Sequence, residues 1–206
     1  LAWIPSFYII NKYKKNKKIV YGWDKFILPK KNIKVKKNIS KNLNLLINTG
    51  GSDIFKIGNI LPKKIEENIK IKLNITWLVG PFANLPKIPK EPFHSWKVII
   101  SPKKINSIIS KSDIGFCIYG VTFFELLNQS IPTSVLCKTT KDNKEEINQL
   151  KNQNVALVSK NIIDSVTNIS ILVNSDSIRK YYEHKMKNIF KTDGIKQLYD
   201  YVNKKL

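Results

Sequence analysis

From Leu43 onward the chain alternates short apolar runs with longer segments of helical periodicity. Few folds accept that order. Neighbouring antiparallel strands need only a tight turn, whereas parallel ones need a crossover of a dozen or more residues, usually a helix. Residues 43–48, 73–79, 96–100, 113–118, 132–137 and 155–158 read as six strands, rich in Leu, Ile and Val as strands covered on both faces are. The expected class is α/β, a Rossmann-like parallel sheet with helices on both faces, because right-handed crossovers of this length permit little else.

The segments between the strands carry the helical signals. Ile54, Ile57, Ile60, Leu61, Ile65 and Ile69 fall roughly on one helical face, with Pro62 kinking or ending that helix. Pro102 suits the first turn of a short helix burying Ile105, Ile108 and Ile109. Thr122 reads as the cap of a helix through Leu127 with Glu125 in its first turn. Residues 143–150 are helical, and everything after residue 158 is mostly helix, broken at Asp193-Gly194. Ahead of the alternation, Lys/Asn-rich residues 12–18 and 30–41 read as connectors around one strand in residues 19–23. The expected organisation is residues 1–41 as the remnant of an N-terminal domain plus linker and residues 42–206 as one Rossmann-like domain. A first residue of Leu suits a piece of a longer protein.

The formal charge of +21 raises nucleic acid as a partner, but Arg179 is the only arginine. Sites that read phosphates and guanine edges favour the bidentate guanidinium, so nucleic acid is not expected. The lysines are spread along the whole chain and suit a solvated surface, with an anionic membrane face or acidic lipid-linked substrate as the second reading. No apolar run approaches the roughly 18 residues that a bilayer span needs. Cys117 and Cys137 lie in apolar segments without a CxxC, so both are expected reduced, in a cytoplasmic protein. His94 and His184 stand far apart with no acidic partner in sequence, and no metal site is expected. Trp77, Trp96, Phe123 and Phe124 read as core, and Tyr181-Tyr182 as half core and half surface.

In open parallel sheets, ligands sit beyond the carboxyl ends of the strands, where loops enter helices. Two loops have that character. Thr49-Gly50-Gly51-Ser52-Asp53 follows the first strand of the alternation, and Tyr119-Gly120-Val121-Thr122 follows the fourth. Paired glycines let backbone amides approach an oxyanion closely, and a diphosphate between two positive helix ends is a sensible guest. Each loop read alone is equally a plain tight turn. Glu125 has two readings: a capping-box partner, or an acceptor for the vicinal hydroxyls of a ribose.

Residues 112–133 resemble the signature of GT-B proteins, in which an Asp-containing strand leads into a glycine loop, then Thr-x-x-Glu-Leu, then Gly-x-Pro. The matching residues here are Asp113, Gly120, Thr122, Glu125, Leu126 and Pro132. The run is most similar to the family 28 glycosyltransferase C-terminal domain and to the UDP-sugar hydrolase of pseudaminic acid biosynthesis. The hydrolase likeness extends to Gly50-Gly51-Ser52-Asp53, Gly80-Pro81, Asp142-Asn143-Lys144 and Asp193-Gly194. Tyr119 and Val121 depart from the family's small residues, Lys144 from its Gln and Ser130 from its Gly. The family's G-x-G-H segment, with a histidine thought to act in hydrolysis, belongs to an N-terminal domain and has no match here.

The resemblance implies a UDP-sugar as partner, no cofactor and no metal, together with a missing N-terminal domain. Carried over by position, Gly51 and Ser52 would face the sugar or diphosphate, and Gly120, Val121 and Thr122 the phosphates. Glu125 would hold the ribose, Asn143 would touch the sugar, and Ile100, with Ser101 and Pro102, would read the uracil edge. No catalytic residue is assigned. The implied function is a nucleotide-sugar-binding domain of a hydrolase or glycosyltransferase in surface glycan synthesis, cytoplasmic and peripheral to the inner membrane face. The alternative is a degenerate binding or scaffolding module of the same fold.

Overall fold

The computed structural model describes residues 2–10, 13–29, 42–190 and 193–203. The alternation from Leu43 builds one six-stranded sheet from β3 (Leu43–Asn48), β4 (Leu73–Val79), β5 (Ser95–Ile100), β6 (Ile114–Ile118), β7 (Thr133–Leu136) and β8 (Leu157–Ser159). All pairings are parallel and the spatial order is β5-β4-β3-β6-β7-β8. The chain thus builds outward to one edge, returns to the middle beside β3, and builds outward to the other. Right-handed crossovers in opposite directions place helices on opposite faces. Apolar side chains of β3, β4, β6 and β7 are almost wholly buried, with Trp77, Phe116 and Phe123 the largest in the core.

α1 (Leu61–Asn68) and α5 (Ile162–Asn174) pack together, while α3 (Val121–Asn128) lies against β6, β7 and α2 (Ile105–Ile109). α4 (Lys144–Gln153) links β7 to β8, and α6 (Asp176–Ile189) and α7 (Gly194–Asn203) follow α5. Asn161 caps α5 through Asp164 N–H, and Ser175 caps α6 through Ile178 N–H. No helix among the described residues is long and apolar enough to cross a membrane.

Several boundaries differ from the sequence expectation. The helix expected from Ile54 starts at Leu61, because Asp53 and Lys56 adopt left-handed backbone and Asp53 turns the chain into a single 3-10 turn at Ile57–Asn59. Its Oδ1 accepts from Ile57 N–H at 2.9 Å and its Oδ2 from Gly58 N–H at 2.8 Å. Pro62 opens α1 instead of ending it, since its fixed φ suits a first turn. Pro102 lies outside α2 for a similar reason: Ser101 is left-handed, with φ 44°, and the helix begins only at Ile105. α3 is capped by Gly120, not Thr122, which moves Glu125 into the second turn. A capping box needs its acid at the third helical position, and Phe123 stands there, so that reading of Glu125 falls.

Ahead of the sheet, β2 (Ile19–Tyr21) fulfils the expected strand, but it pairs in parallel with β1 (Ala2–Ile4), which the sequence pattern did not suggest. The following 3-10 turn, Trp23–Lys25, begins an aromatic cluster. Phe7 stacks on Trp23 at 4.6 Å and Phe26 on Phe124 at 4.3 Å, while Phe190 meets Trp23 edge-on at 5.5 Å. α7 completes this layer, with Tyr201 beside Trp3 at 5.8 Å. The connector expected over residues 30–41, and with it the expected domain boundary, lies outside the described residues. Cys117 and Cys137 are free and buried, and burial pushes both thiols up. The core placement expected for Trp77 and Phe123 holds, as does the split of Tyr182 (buried) from Tyr181 (exposed).

Candidate functional site

Parallel pairing brings the carboxyl ends of β3, β4, β5 and β6 to one rim, and the strand order reverses direction between β3 and β6. The two glycine loops of the sequence leave the sheet at that reversal. Asn48, the last residue of β3, shapes the first loop by accepting from Gly50 N–H through its Oδ1 at 2.7 Å. Gly50 is left-handed, with φ 82°. The Gly51 carbonyl then accepts from Phe82 N–H at 2.9 Å, tying this loop to the one after β4. Gly80 makes the approach possible, because a Cβ there would fall 2.4 Å from the carbonyl oxygens of Gly50 and Gly51. A Cβ on Gly51 itself would meet nothing within 4 Å, so that backbone stands open to a ligand.

A cleft of about 340 Å³ opens beside this loop, lined by Asn48, Gly50, Gly51, Gly80, Ser101 and Thr122 among others. A second, of about 530 Å³, shares Pro102 and Ile105 with the first and adds Lys103, Lys104 and Glu125. α3 enters between them from Gly120 with no side-chain cap; Phe123 N–H donates to the Gly120 carbonyl at 3.0 Å, which leaves the Val121 and Thr122 amides to serve an outside acceptor. Glu125 is half-buried, and burial alone raises its carboxyl above the ordinary range. The described residues give it no hydrogen bond or ion pair, and a half-buried acid without a partner is a candidate for contact with a ligand.

The structure therefore brings Gly51, Gly120, Val121, Thr122 and Glu125 to one rim, with Ile100 exposed at the end of β5 just before Ser101. Ser52 faces the other way, into a separate cleft of about 330 Å³ with Lys56 and Lys87. Asn143 is occupied in its own loop: its Oδ1 accepts from Thr140 N–H at 2.7 Å and its Nδ2 donates to the Lys138 carbonyl at 3.0 Å. The departure at Tyr119 has a local cause. Its hydroxyl donates to Glu146 Oε1 at 2.6 Å, and burial together with that carboxylate holds the phenol far above its ordinary range. In the sequence Lys103 and Lys104 look like any other lysine pair; only the fold makes them line the same cleft as Glu125.

No family model matches the chain, and no curated protein matches it. Solved structures do. The calicheamicin glycosyltransferase CalG4 superposes with a TM-score of 0.60 at 11% identity, covering 98% of this chain and 50% of that one. MurG of Acinetobacter baumannii gives 0.64 at 16% identity over 81% of this chain and 51% of its own. The fold is shared with GT-B glycosyltransferases. A third match, the Streptomyces glycosyltransferase SsfS6 complexed with thymidine diphosphate, gives 0.53 at 11% identity over 83% of this chain and 44% of its own. This chain thus spans about half the length of the glycosyltransferases it resembles.

Proposed function

We propose that the chain is the nucleotide-sugar-binding half of a GT-B type sugar-nucleotide hydrolase or glycosyltransferase in surface glycan synthesis, with a UDP-sugar as ligand and a separate N-terminal domain as partner. The observation that carries the reading is the half-buried carboxylate of Glu125, without a hydrogen-bond or ion-pair partner among the described residues, at a cleft next to one that joins an open glycine loop to a helix N-terminus with no side-chain cap. In this reading the backbone at Gly51, Gly120 and Val121, with the Thr122 hydroxyl, receives the diphosphate, and Glu125 accepts from the ribose hydroxyls. Ile100 borders the base, while Ser52, in its separate cleft, and Asn143, held in its own loop, take no part in the site. Thymidine diphosphate bound to a protein of the same fold, SsfS6, supports a nucleoside diphosphate as the guest.

Titration calorimetry of UDP and of UDP-sugars into the full chain tests this. Glu125→Gln keeps the size but loses the charge, and should weaken UDP by roughly 1–3 kcal/mol, the range for a hydrogen bond to a charged group. Its urea melt should stay that of the wild type, because no protein partner is lost. Equal UDP affinity in the two proteins would overturn the ribose role. A second reading, a binding or scaffolding module of the same fold, is favoured by one observation: the Tyr119 phenol, locked onto Glu146, stands where the family has glycine at the phosphate loop. Absence of UDP binding by the wild type, with binding restored by Tyr119→Gly, would favour that second reading.

A further inference from the structure

The last helix is apolar over a wider arc than the protein covers. Gly194 and Tyr201, spaced i and i+7, face the N-terminal segment. A Cβ on Gly194 would lie 2.1 Å from the Phe26 carbonyl oxygen, Tyr201 meets Trp3, and Gln197 Oε1 accepts from Lys25 Nζ at 2.6 Å. One residue on, Ile195, Tyr199 and Val202, spaced i, i+4 and i+7, form a parallel stripe that is 48%, 66% and 47% exposed. Lys196, Asp200 and Asn203 occupy the remaining, polar arc. A 10-residue helix that leaves such a stripe in water is incomplete without something to cover it.

The neighbouring surface says what that is. Ala2 N–H donates to the Lys18 carbonyl at 2.7 Å, and the next residue, Trp3, packs on Tyr201. The stripe therefore ends beside the turn that precedes β2, where Tyr13, Lys14, Lys15, Lys17 and Lys18 are all exposed. The sequence has no acidic residue before Asp24, and Asp24 is paired with Lys25. Four lysines and a tyrosine beside an aliphatic and aromatic stripe are complementary to an anionic bilayer surface. The stripe enters the headgroup boundary, the tyrosines sit at its level, and the lysines meet the lipid phosphates. We infer that α7 and the 13–18 turn together form a peripheral docking face for anionic lipid.

Vesicle co-sedimentation of the full chain tests the inference independently of nucleotide binding. The wild type should pellet with phosphatidylcholine vesicles containing about 30% phosphatidylglycerol and not with phosphatidylcholine alone, and the pelleting should fall at ~0.5 M salt. Ile195→Ser with Tyr199→Ser and Val202→Ser should lower the partition coefficient roughly tenfold or more while the protein stays folded by its thermal melt, because about half or more of each side chain is already in water. Lys14, Lys15, Lys17 and Lys18 changed together to Gln should do the same. Changing Lys70, Lys90, Lys111 and Lys160 instead, which alters net charge equally, should leave most of the binding. The inference is overturned if the wild type ignores anionic vesicles, which would leave the stripe to a polypeptide. It is equally overturned if the serine variant binds like the wild type, or if the two lysine sets weaken binding alike, for then net charge alone would be responsible.

Discussion

Gly80→Ala adds a single methyl group at the place where the loops after β3 and β4 touch. Its Cβ would lie 2.4 Å from two carbonyl oxygens and 2.5 Å from Gly51 Cα, where ordinary contact begins at 3.4 Å. The 49–53 loop would have to retreat by about 1 Å, comparable to the shifts that overpacking forces on close-packed interiors. That loop is fastened by Asn48 to Gly50 N–H, by Gly51 to Phe82 N–H, and by both oxygens of Asp53. Overpacking of this kind costs about 1–3 kcal/mol, and the Gly51 to Phe82 hydrogen bond that must stretch adds about 1 more. The expected loss is therefore about 2–4 kcal/mol. Urea melts read it as a fall in midpoint at constant slope, and the displaced loop should also weaken UDP. Gly51→Ala is the matched control: its Cβ meets nothing, so stability should stay within about 0.5 kcal/mol while the methyl projects into the candidate cleft. Equal melts for the two variants would refute the packing argument.

Ser130 sits in left-handed backbone, φ 56°, just past α3, with Ser130 N–H on the Leu127 carbonyl and Ile131 N–H on the Leu126 carbonyl. This is the Schellman arrangement, which favours glycine, so Ser130→Gly should raise stability by about 0.5–1 kcal/mol in thermal or urea melts. His94 is buried, and its Nδ1 accepts from Leu73 N–H at 3.3 Å. Burial pulls its pKa below 6.5, against the opposing influence of Glu66 and the Ile65 and Ile69 carbonyls, while Lys70 acts in the same direction as burial. Below pH 6.5 the unfolded chain takes up a proton that the folded one resists. Stability should therefore fall as pH drops from 6.5 through the folded pKa, at up to about 1.4 kcal/mol per pH unit from this group, and His94→Asn should flatten that slope in urea melts across pH 5–7. Tyr119→Phe should cost about 1–3 kcal/mol by leaving Glu146 without its hydroxyl partner, and the urea melt of the variant reads it directly.

The sheet was legible because strands covered on both faces are written as unbroken apolar runs, and no other element of that length needs them. Errors fell where a local backbone choice overrode periodicity. Ile54, Ile57 and Ile60 keep helical spacing, yet left-handed Asp53 and Lys56 stop a helix from starting among them. β1 is three residues long and is a strand only through its partner 17 residues away, a non-local fact that pattern reading does not carry. At the candidate site, residue types and spacing pointed to both glycine loops and to Glu125. They did not indicate that Glu125 lacks a partner among the described residues or that Lys103 and Lys104 line the same cleft, since both depend on segments distant in sequence, nor that Asn143 is taken up by its own loop.

The aromatic layer joins Phe7, Trp23 and Phe26 from one end of the sequence to Phe190 and α7 from the other. On a ribosome this cover cannot close until α7 has been made. Until then Phe7, Trp23, Phe26 and Phe124 have only one another, and their cover by Phe190 and α7 is translated some 170 residues after Phe26, a wait of roughly 10–30 s at ordinary elongation rates. During vectorial synthesis those exposed rings are natural handles for a holding chaperone, and a nascent chain stalled before Gly194 should remain protease-sensitive over residues 2–29 even after its sheet has formed.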